Sequence, residues 1–455
     1  MPVLEMRSED TSLLTDLYQL TMAACYVGEG LDQRTASFEL FVRRLPAGFG
    51  YLIAMGLEEA LAYLESLQFT PQHIAALQQT GIFDHAPDRF WQLLESAKFT
   101  GEIWAVPEGT AVFANEPLLR VEAPLWQAQL VETYLLNVIN YQTLIASRST
   151  RIRDAAGPEA HLLEFGTRRA FSPQAALWAA RAAIAAGFDA TSNVLAAMKM
   201  GQKPVGTMAH ALVMALGAIE GSEQEAFSAF HRYFPNAPLL IDTYDVIHAA
   251  EALRDRIANH DISLSGVRID SGDLVTLSQK VRELLPTVNI FASGDLDEFR
   301  ITELQAAGAC IDGYGIGTQL VTGAPVNGVY KLVDIDGIPV MKESAGKMTY
   351  PGRKQIFRSY EHGLIHHDRL GLITEAPLSG EVPLLQPVMK QGERLQPVKS
   401  LAEIAETTAR SMTSLPPEVR QIQQPSPVIP QLSEALQHLL SQTQNRLQAT
   451  HASPA

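Results

Sequence analysis

The stretch GVRIDSGDLVTLSQKVRELLPTVNIFASGD, residues 266–295, decides the fold class. It opens on a short apolar run, GVRID (266–270), passes into a helical pattern, LVTLSQKVRELL (274–285), and returns to a second apolar run, NIFAS (289–293). Strand, helix, strand is the unit of a parallel sheet, because parallel strands need a crossover that carries the chain back to its starting edge. The rhythm extends outward in both directions. LLEF (162–165), FDAT (188–191), PVGT (204–207) and LLID (239–242) precede it, and GYGIG (313–317) follows. Helical stretches such as SPQAALWAARAAIAA and VIHAAEALRDRIANH lie between. Seven such runs without a clear switch point predict an α/β fold with a closed or nearly closed parallel α/β barrel of about seven strands rather than an open sheet.

The flanks read differently. LLTDLYQLTMAACYV (13–27) is a helix with Thr15 and Asp16 available as caps, and ASFELFVRRLP (36–46) alternates like a strand. Helices are expected at 55–67 and 71–79. Residues 99–124 read as short strands broken at Pro107-Glu108-Gly109 and Asn115-Glu116-Pro117. A long helical pattern from Gln127 to Asp154 leads out of this region. VYKLVDIDGIPVMKES (329–344) is a hairpin turning at Asp336-Gly337, and the basic segment KMTYPGRKQIFR (347–358) follows it. QQPSPVIP (423–430) reads as a linker. The last helix then carries Leu432, Ala435, Leu436, Leu439 and Leu440 on one face, as a docked terminal helix would. The predicted organisation is residues 1–126 in a smaller mixed domain, 127–323 in the barrel, 324–422 as the returning hairpin and basic segment, and 423–455 as linker and helix.

The 455 residues accommodate one barrel of about 250 plus a smaller domain. Hydrophobic residues at 46% and charged residues at 19% suffice for a core and exclude wholesale disorder. Lys+Arg 35 against Asp+Glu 50 gives −15, which disfavours nucleic acid and anionic membranes as partners. Anionic ligands would need cations concentrated locally. The two cysteines, Cys25 and Cys310, sit in apolar sequence and are expected to be buried thiols. The N-terminus MPVLEMRSEDTS lacks an apolar signal region, and GTMAHALVMALGAIEG (206–221) is shorter than a membrane span, so a cytoplasmic protein is expected.

Polar residues gather at the ends of the apolar runs. They are Glu164, Thr167, Arg168 and Arg169; Thr207 and His210; Asp242, Thr243 and Asp245; Arg268, Asp270, Ser271 and Asp273; Ser293, Gly294 and Asp295; Gly315, Gly317 and Thr318. One Asp or Ser there is often a helix cap. Six groups in succession, mixing arginines with carboxylates and glycines, point to anion handling at the face where barrel active sites lie. Arg168 and Arg169 can grip a phosphate or carboxylate bidentately, with a surface ion pair as the plainer reading. Asp242, Asp270 and Asp295 suit Mg²⁺ or ribose hydroxyls. The glycine turns at 294 and 315–317 can offer backbone N–H groups to a phosphate. His210 is a candidate nucleophile toward phosphoryl groups, oriented by Asp242 or Asp270. HGLIHHDR, with His362, His366 and His367, has no recognised metal spacing and reads as surface. No GxxxxGK[ST], HExxH or GxSxG motif occurs.

LLTDLYQLTM, FELFVRRLP, LLEFGTRRAFS, VGTMAHALVMA, LLIDTYDV, GVRIDSGDL, FASGDLDE and DGYGIGTQLV, in this order, resemble nicotinate phosphoribosyltransferase, a type II phosphoribosyltransferase. The resemblance spans Thr15 to about Arg358. It implies an irregular barrel plus an α/β sandwich built from N-terminal and later chain, with active sites shared in a homodimer. It implies that nicotinate and phosphoribosyl pyrophosphate give nicotinate mononucleotide and pyrophosphate, with Mg²⁺ present and ATP hydrolysis coupled, as an entry to NAD. By the same resemblance Tyr18, from the neighbouring subunit, and Phe165 sandwich the pyridine ring. Arg168 and Arg268 face the nicotinate and phosphate groups, Thr207 belongs to the substrate pocket, and Asp242, Asp270 and Gly294 hold the ribose side. Gly315, Gly317 and Thr318 bind the 5′-phosphate. Arg43, Arg44, Lys331, Arg353 and Lys354 gather pyrophosphate or ATP phosphates. His210 matches the family's phosphorylated histidine, with Ala211 where some relatives have Glu or Ser. The nearest alternative is nicotinamide phosphoribosyltransferase. Its members carry an acidic residue where this chain has Ser192, and a carboxylate there would repel nicotinate. A phosphate-binding aldolase or isomerase would need a lysine at a strand end, and none of the seven runs ends in one. A non-catalytic sensor on the same scaffold would not need His210, Arg168 and Asp270 intact.

Overall fold

The computed structural model describes residues 4, 6–344 and 347–452. The chain forms two compact units, one from Met1–Leu144 and Pro325–Ala455, the other from Ile145–Ala324. The first boundary therefore falls inside the helix Glu132–Ala156 rather than at 126, and the C-terminal segment from 423 belongs to the first unit.

The second unit is α/β with one parallel sheet. Its strands lie in the order Ala190–Thr191, His161–Glu164, Gly313–Ile316, Asn289–Ser293, Gly266–Ile269, Leu239–Leu240. The first and last strands in sequence are thus neighbours, paired Gly313↔His161 through Ile316↔Glu164. Six of the seven apolar runs become strands. The seventh, 204–207, does not: Pro204 has no N–H to give a ladder, and the run is tied where the Val205 N–H donates to Thr191 O at 2.9 Å. Glycine is required next to the rings inside this sheet. A Cβ on Gly266 or Gly313 would stand 2.8 or 2.6 Å from the Phe291 ring. Helices follow the strand ends, and two acidic residues there are caps. Asp245 accepts from the Ile247 and His248 N–H groups, and Asp273 from those of Val275 and Thr276.

The first unit is held by a seven-stranded sheet in which Thr35–Val42 takes antiparallel neighbours from Pro117–Pro124 and Gly328–Ile335. Both ends of the chain are needed to make it. Asp336 (φ +50°) and Gly337 (φ +79°) turn the chain from Gly328–Ile335 into Ile338–Pro339, as Asp-Gly predicts. A second sheet pairs Lys354–Glu361 with Leu364–Leu372. The segment 423–430 packs rather than dangles, because Pro425 lies where a Gly50 side chain would be. It leads to Gln431–Leu432, which extends the second sheet, and to the helix Glu434–Ala452, whose Leu436 is fully buried. The histidine cluster lies on the hairpin of this sheet, with His362 and His366 exposed. Cys25 departs from expectation: it is exposed, and Cys310 is half-buried. On an amphipathic helix the apolar residues around a cysteine in sequence do not share its face.

The second sheet contains a buried ionic cluster. Arg358 and Asp368 are opposite each other across the strands and pair bidentately at 2.8 and 2.6 Å, while Arg358 Nη1 donates to Ala111 O. Glu116 lies beside them and accepts the Phe113 N–H at 2.7 Å. Burial, reinforced by the Asp368 charge, holds the Glu116 carboxyl well above the usual carboxylate range, against the pull of Arg358. A raised folded-state pKa gives stability that is complete below the unfolded value near 4.5 and fades as pH rises through the folded one. Glu116→Gln should therefore remove part of the decline in unfolding midpoint above that pH. Asp368→Asn should lower stability at all pH values above it by roughly 3–5 kcal/mol, as breaking one partner of a buried pair does. Urea unfolding across pH 4.5–9 checks both.

Candidate active site

The candidate site residues of the second unit gather at its strand ends. Asp242, just past Leu239–Leu240, is the hub, with its side chain 2% exposed. Its Oδ1 lies 3.1 Å from His210 Nε2, and its Oδ2 accepts the Asp270 N–H at 2.8 Å and the Ser271 hydroxyl at 2.9 Å. A carboxylate only accepts, so the ring nitrogen facing it carries the proton and Nδ1 keeps the lone pair. His210 opens the helix His210–Glu220 and its ring is 40% exposed, so Nδ1 can meet a ligand. Asp270 continues the chain of contacts by accepting the Ser293 hydroxyl. Asp242 is thus placed to orient His210, one of the two acids expected in that role, and three donors already contact its two oxygens.

Beside this chain is a cavity of about 330 Å³ lined by Phe165, Thr207, Arg268 and Gly315 among others. The Phe165 ring lies where a Gly315 side chain would be, since a Cβ there would stand 2.5 Å from it. The Arg268 guanidinium is 5.9 Å from the same ring centroid and donates from Nη2 to Met208 O at 3.3 Å. Its Nε–H is buried with no partner, a polar group that an anionic ligand would satisfy. Burial pushes the Arg268 pKa down and the Arg168 charge adds to this, while Asp270 and Asp242 oppose it. Arg168 and Arg169 are exposed in the turn after His161–Glu164. The Thr207 hydroxyl donates to Met208 O at 3.0 Å. Ser192 is turned back on the chain, its N–H and hydroxyl both donating to Glu164 O at 2.9 and 3.2 Å.

The glycine turns have steric reasons. Gly294 has φ +93°, and a Cβ on it would stand 2.3 Å from Asp270 O. Asp295, next to it, is also left-handed at φ +49°. Gly317 precedes the short helix Thr318–Val321.

In the first unit, Tyr18 is 46% exposed near the start of the helix Leu17–Gly28. Burial raises its pKa, with Glu132 the next cause. Arg43 and Arg44 line a pocket of about 580 Å³ with Phe49, Asn115, Pro425 and Ile429, and the Arg43 Nε–H is buried without a partner. Lys331 is half-buried, which lowers its pKa; Glu132 opposes this, while Arg43 and Lys342 add to it. Arg353 donates to Glu122 at 3.0 Å and is partly exposed. Lys354 corrects its expected role. It is 3% exposed, and its ammonium is taken by Glu39 at 2.9 Å and by the carbonyls of Tyr350 and Gly352 at 2.7 and 2.8 Å. It holds the sheets of this unit instead of a phosphate.

Sequence reasoning passed over Thr191, whose hydroxyl donates to Glu164 Oε2. It sits at the end of a recognised strand run, but nothing in the sequence links residues 27 apart. Among the described residues no helix is long and apolar enough to cross a membrane.

Residues 13–140 match the nicotinate phosphoribosyltransferase (NAPRTase) N-terminal domain, residues 160–360 the NAPRTase family, and residues 376–440 the nicotinate phosphoribosyltransferase C-terminal domain. A nicotinate phosphoribosyltransferase of Mycobacterium tuberculosis (strain ATCC 25618 / H37Rv) is 43% identical over 424 residues, covering 90% of this chain and 89% of that one. One of Bacillus subtilis (strain 168) is 43% identical over 370 residues, 77% of this chain and 74% of that one. The crystal structure of human nicotinic acid phosphoribosyltransferase superposes with a TM-score of 0.83 at 30% identity, covering 94% of this chain and 99% of that chain. With three consecutive family segments matched in order, and a fold and relatives that agree over most of its length, the chain belongs to the nicotinate phosphoribosyltransferase family.

Proposed function

We propose that this chain joins nicotinate to phosphoribosyl pyrophosphate, releasing nicotinate mononucleotide and pyrophosphate, and couples the transfer to ATP hydrolysis through His210. The observation that carries the reading is the oriented His210–Asp242 pair beside an aromatic cavity with an unpaired guanidinium N–H. The pyridine nitrogen has a free lone pair at neutral pH, so no general base is required. That pair attacks the anomeric carbon as the bond to pyrophosphate breaks, and the protein's task is alignment and charge stabilisation. Phe165 offers a stacking face, and Arg268 and Arg168 offer positive charge to the nicotinate carboxylate or a phosphate. Asp270 and Gly294 stand at the ribose side, and the Gly315–Gly317 turn with Thr318 suits the 5′-phosphate. Arg43, Arg44, Lys331 and Arg353 are the cations for pyrophosphate or ATP phosphates.

Mg²⁺ keeps much of its water and binds chiefly substrate phosphates, so one or two carboxylates suffice for it. Asp242, Asp270 and Asp295 are the carboxylates available for that donor set, Asp242 already accepting three donors and Asp270 accepting the Ser293 hydroxyl. A bound Mg²⁺ would supply neutralisation of the leaving pyrophosphate. For ATP, His210 Nδ1 is the nucleophile toward the γ-phosphorus. A nitrogen–phosphorus bond forms, the bond to ADP breaks, and the proton stays on Nε2 facing Asp242. We also propose a homodimer in the cytoplasm, with Tyr18 of one chain completing the pyridine site of the other.

Three outcomes test these points. With nicotinate, nicotinamide and quinolinate offered separately, each with and without ATP, nicotinate should be the preferred substrate, and Ser192→Asp should weaken its use. A preference for nicotinamide, or nicotinate turnover untouched by the new carboxylate, would reject the substrate reading. His210→Asn should abolish ATP hydrolysis, ATP stimulation and acid-labile labelling from γ-³²P-ATP, and leave slow transfer. Labelling that persists in the variant would remove His210 from the scheme. Tyr18→Ala should weaken ring stacking by roughly 0.5–1.5 kcal/mol beyond area burial. Mixed with Arg168→Ala under verified subunit exchange, it should restore up to about half of normal activity per mixed dimer, because one site inherits both defects and the other neither. No gain on mixing would mean that Tyr18 serves its own chain.

A further inference from the structure

We propose that Glu164 is a positioning residue of the pyridine pocket, whose buried carboxyl group ties together the two turns that flank Phe165 and so fixes the pose of that ring. The inference rests on the reading of Phe165 as the partner of the pyridine. Glu164 ends the strand His161–Glu164 and is 0% exposed. Its Oε1 accepts the Gly166 N–H, which fixes the turn that begins at Phe165. Its Oε2 accepts the Thr191 hydroxyl, and Thr191 Oγ1 in turn accepts the Asn193 N–H at 2.9 Å. The Glu164 carbonyl holds both the N–H and the hydroxyl of Ser192. One residue thus controls the turn carrying the aromatic ring and the turn carrying Ser192.

The fold does not need a carboxyl group for this. The strands are already joined by backbone pairing, Leu163↔Ala190 and Glu164↔Thr191. An apolar side chain of similar volume would be easier to bury than an ionisable one. Burial raises the Glu164 pKa, and the donors Thr191 and Gly166 pull it back. What the carboxyl group adds is direction. Gly166 is packed so closely that a Cβ on it would stand 2.3 Å from Val321, and Phe165 is held by its own N–H, which donates to Ile316 O at 2.7 Å. With the Gly166 N–H also anchored, both peptide N–H groups that bracket Phe165 are held, and its ring lies across Gly315 with the Arg268 guanidinium 5.9 Å from its centroid.

Glu164→Leu keeps the volume and removes both acceptors. It should raise the KM for nicotinate about ten-fold, the scale for an unpaired buried N–H, while the KM for phosphoribosyl pyrophosphate moves less than about three-fold. Glu164→Gln can accept from Gly166 and donate to Thr191, and should recover most of the loss. Thr191→Val, which leaves the Gly166 contact in place, should shift the nicotinate KM in the same direction by a smaller factor, and it decides the matter if Glu164→Leu does not fold. Nicotinate KM values within about two-fold of normal in folded variants, or a parallel rise in both KM values, would overturn the inference. Absence of nicotinate turnover in the unaltered protein would reject the substrate reading first, and this inference with it.

Discussion

The pairing of His161–Glu164 with Gly313–Ile316 is the constraint on which the second unit depends. It makes neighbours of strands that begin and end the unit, so the turn carrying Phe165 and the arginines stands beside the glycine turn at 315–317. The pairing is possible because residues 313 and 315 have no side chains. The rings of Phe291 and Phe165 fill the space that a Cβ would take, at 2.6 and 2.5 Å. A larger residue at either position would force the ring or the strand to move. Packing and site geometry are here set by the same atoms.

Around that frame the charged groups divide into satisfied and unsatisfied ones. Asp242 is buried and surrounded by three donors, which suits a residue that orients an imidazole. Arg268 is half-buried with an N–H unpaired, which suits a residue that waits for an anion. A buried unpaired donor lowers stability, so its persistence in the lining of a cavity beside the Phe165 ring is informative. Glu164 belongs with Asp242: both are acids whose oxygens face the chain's own donors.

The first unit shows the same division among its cations. Lys354 is buried against Glu39 from a distant part of the sequence, and Arg358 against Asp368 on the adjacent strand of its own hairpin. Arg43 and Lys331 keep partial exposure and lie near one another electrostatically, a local concentration of positive charge on a chain of net charge −15. Lysine and arginine at adjacent sequence positions, as in Arg353-Lys354, therefore part ways, one toward solvent and one inward.

The alternation of short apolar runs and helical patterns was sufficient, by itself, to determine a parallel α/β unit, and the polar residues at the strand ends marked out a candidate site. Both are local properties: side-chain period and the residue that follows a strand. The eight ordered motifs added the family. Pro204 already argues against a strand at 204–207, but that the run is tied through the Val205 N–H to Thr191 O appears only in the fold. Nor did the sequence reveal that Asp242 faces His210 while Asp245 and Asp273 cap helices, since all three look alike at a strand end. Lys354 reads as a phosphate ligand until Glu39, 315 positions earlier, is brought against it. Burial and partnership belong to the folded chain, because they depend on which distant residues share a volume. That is why tertiary structure alone decided which acids orient, which cap and which cations remain available to a ligand.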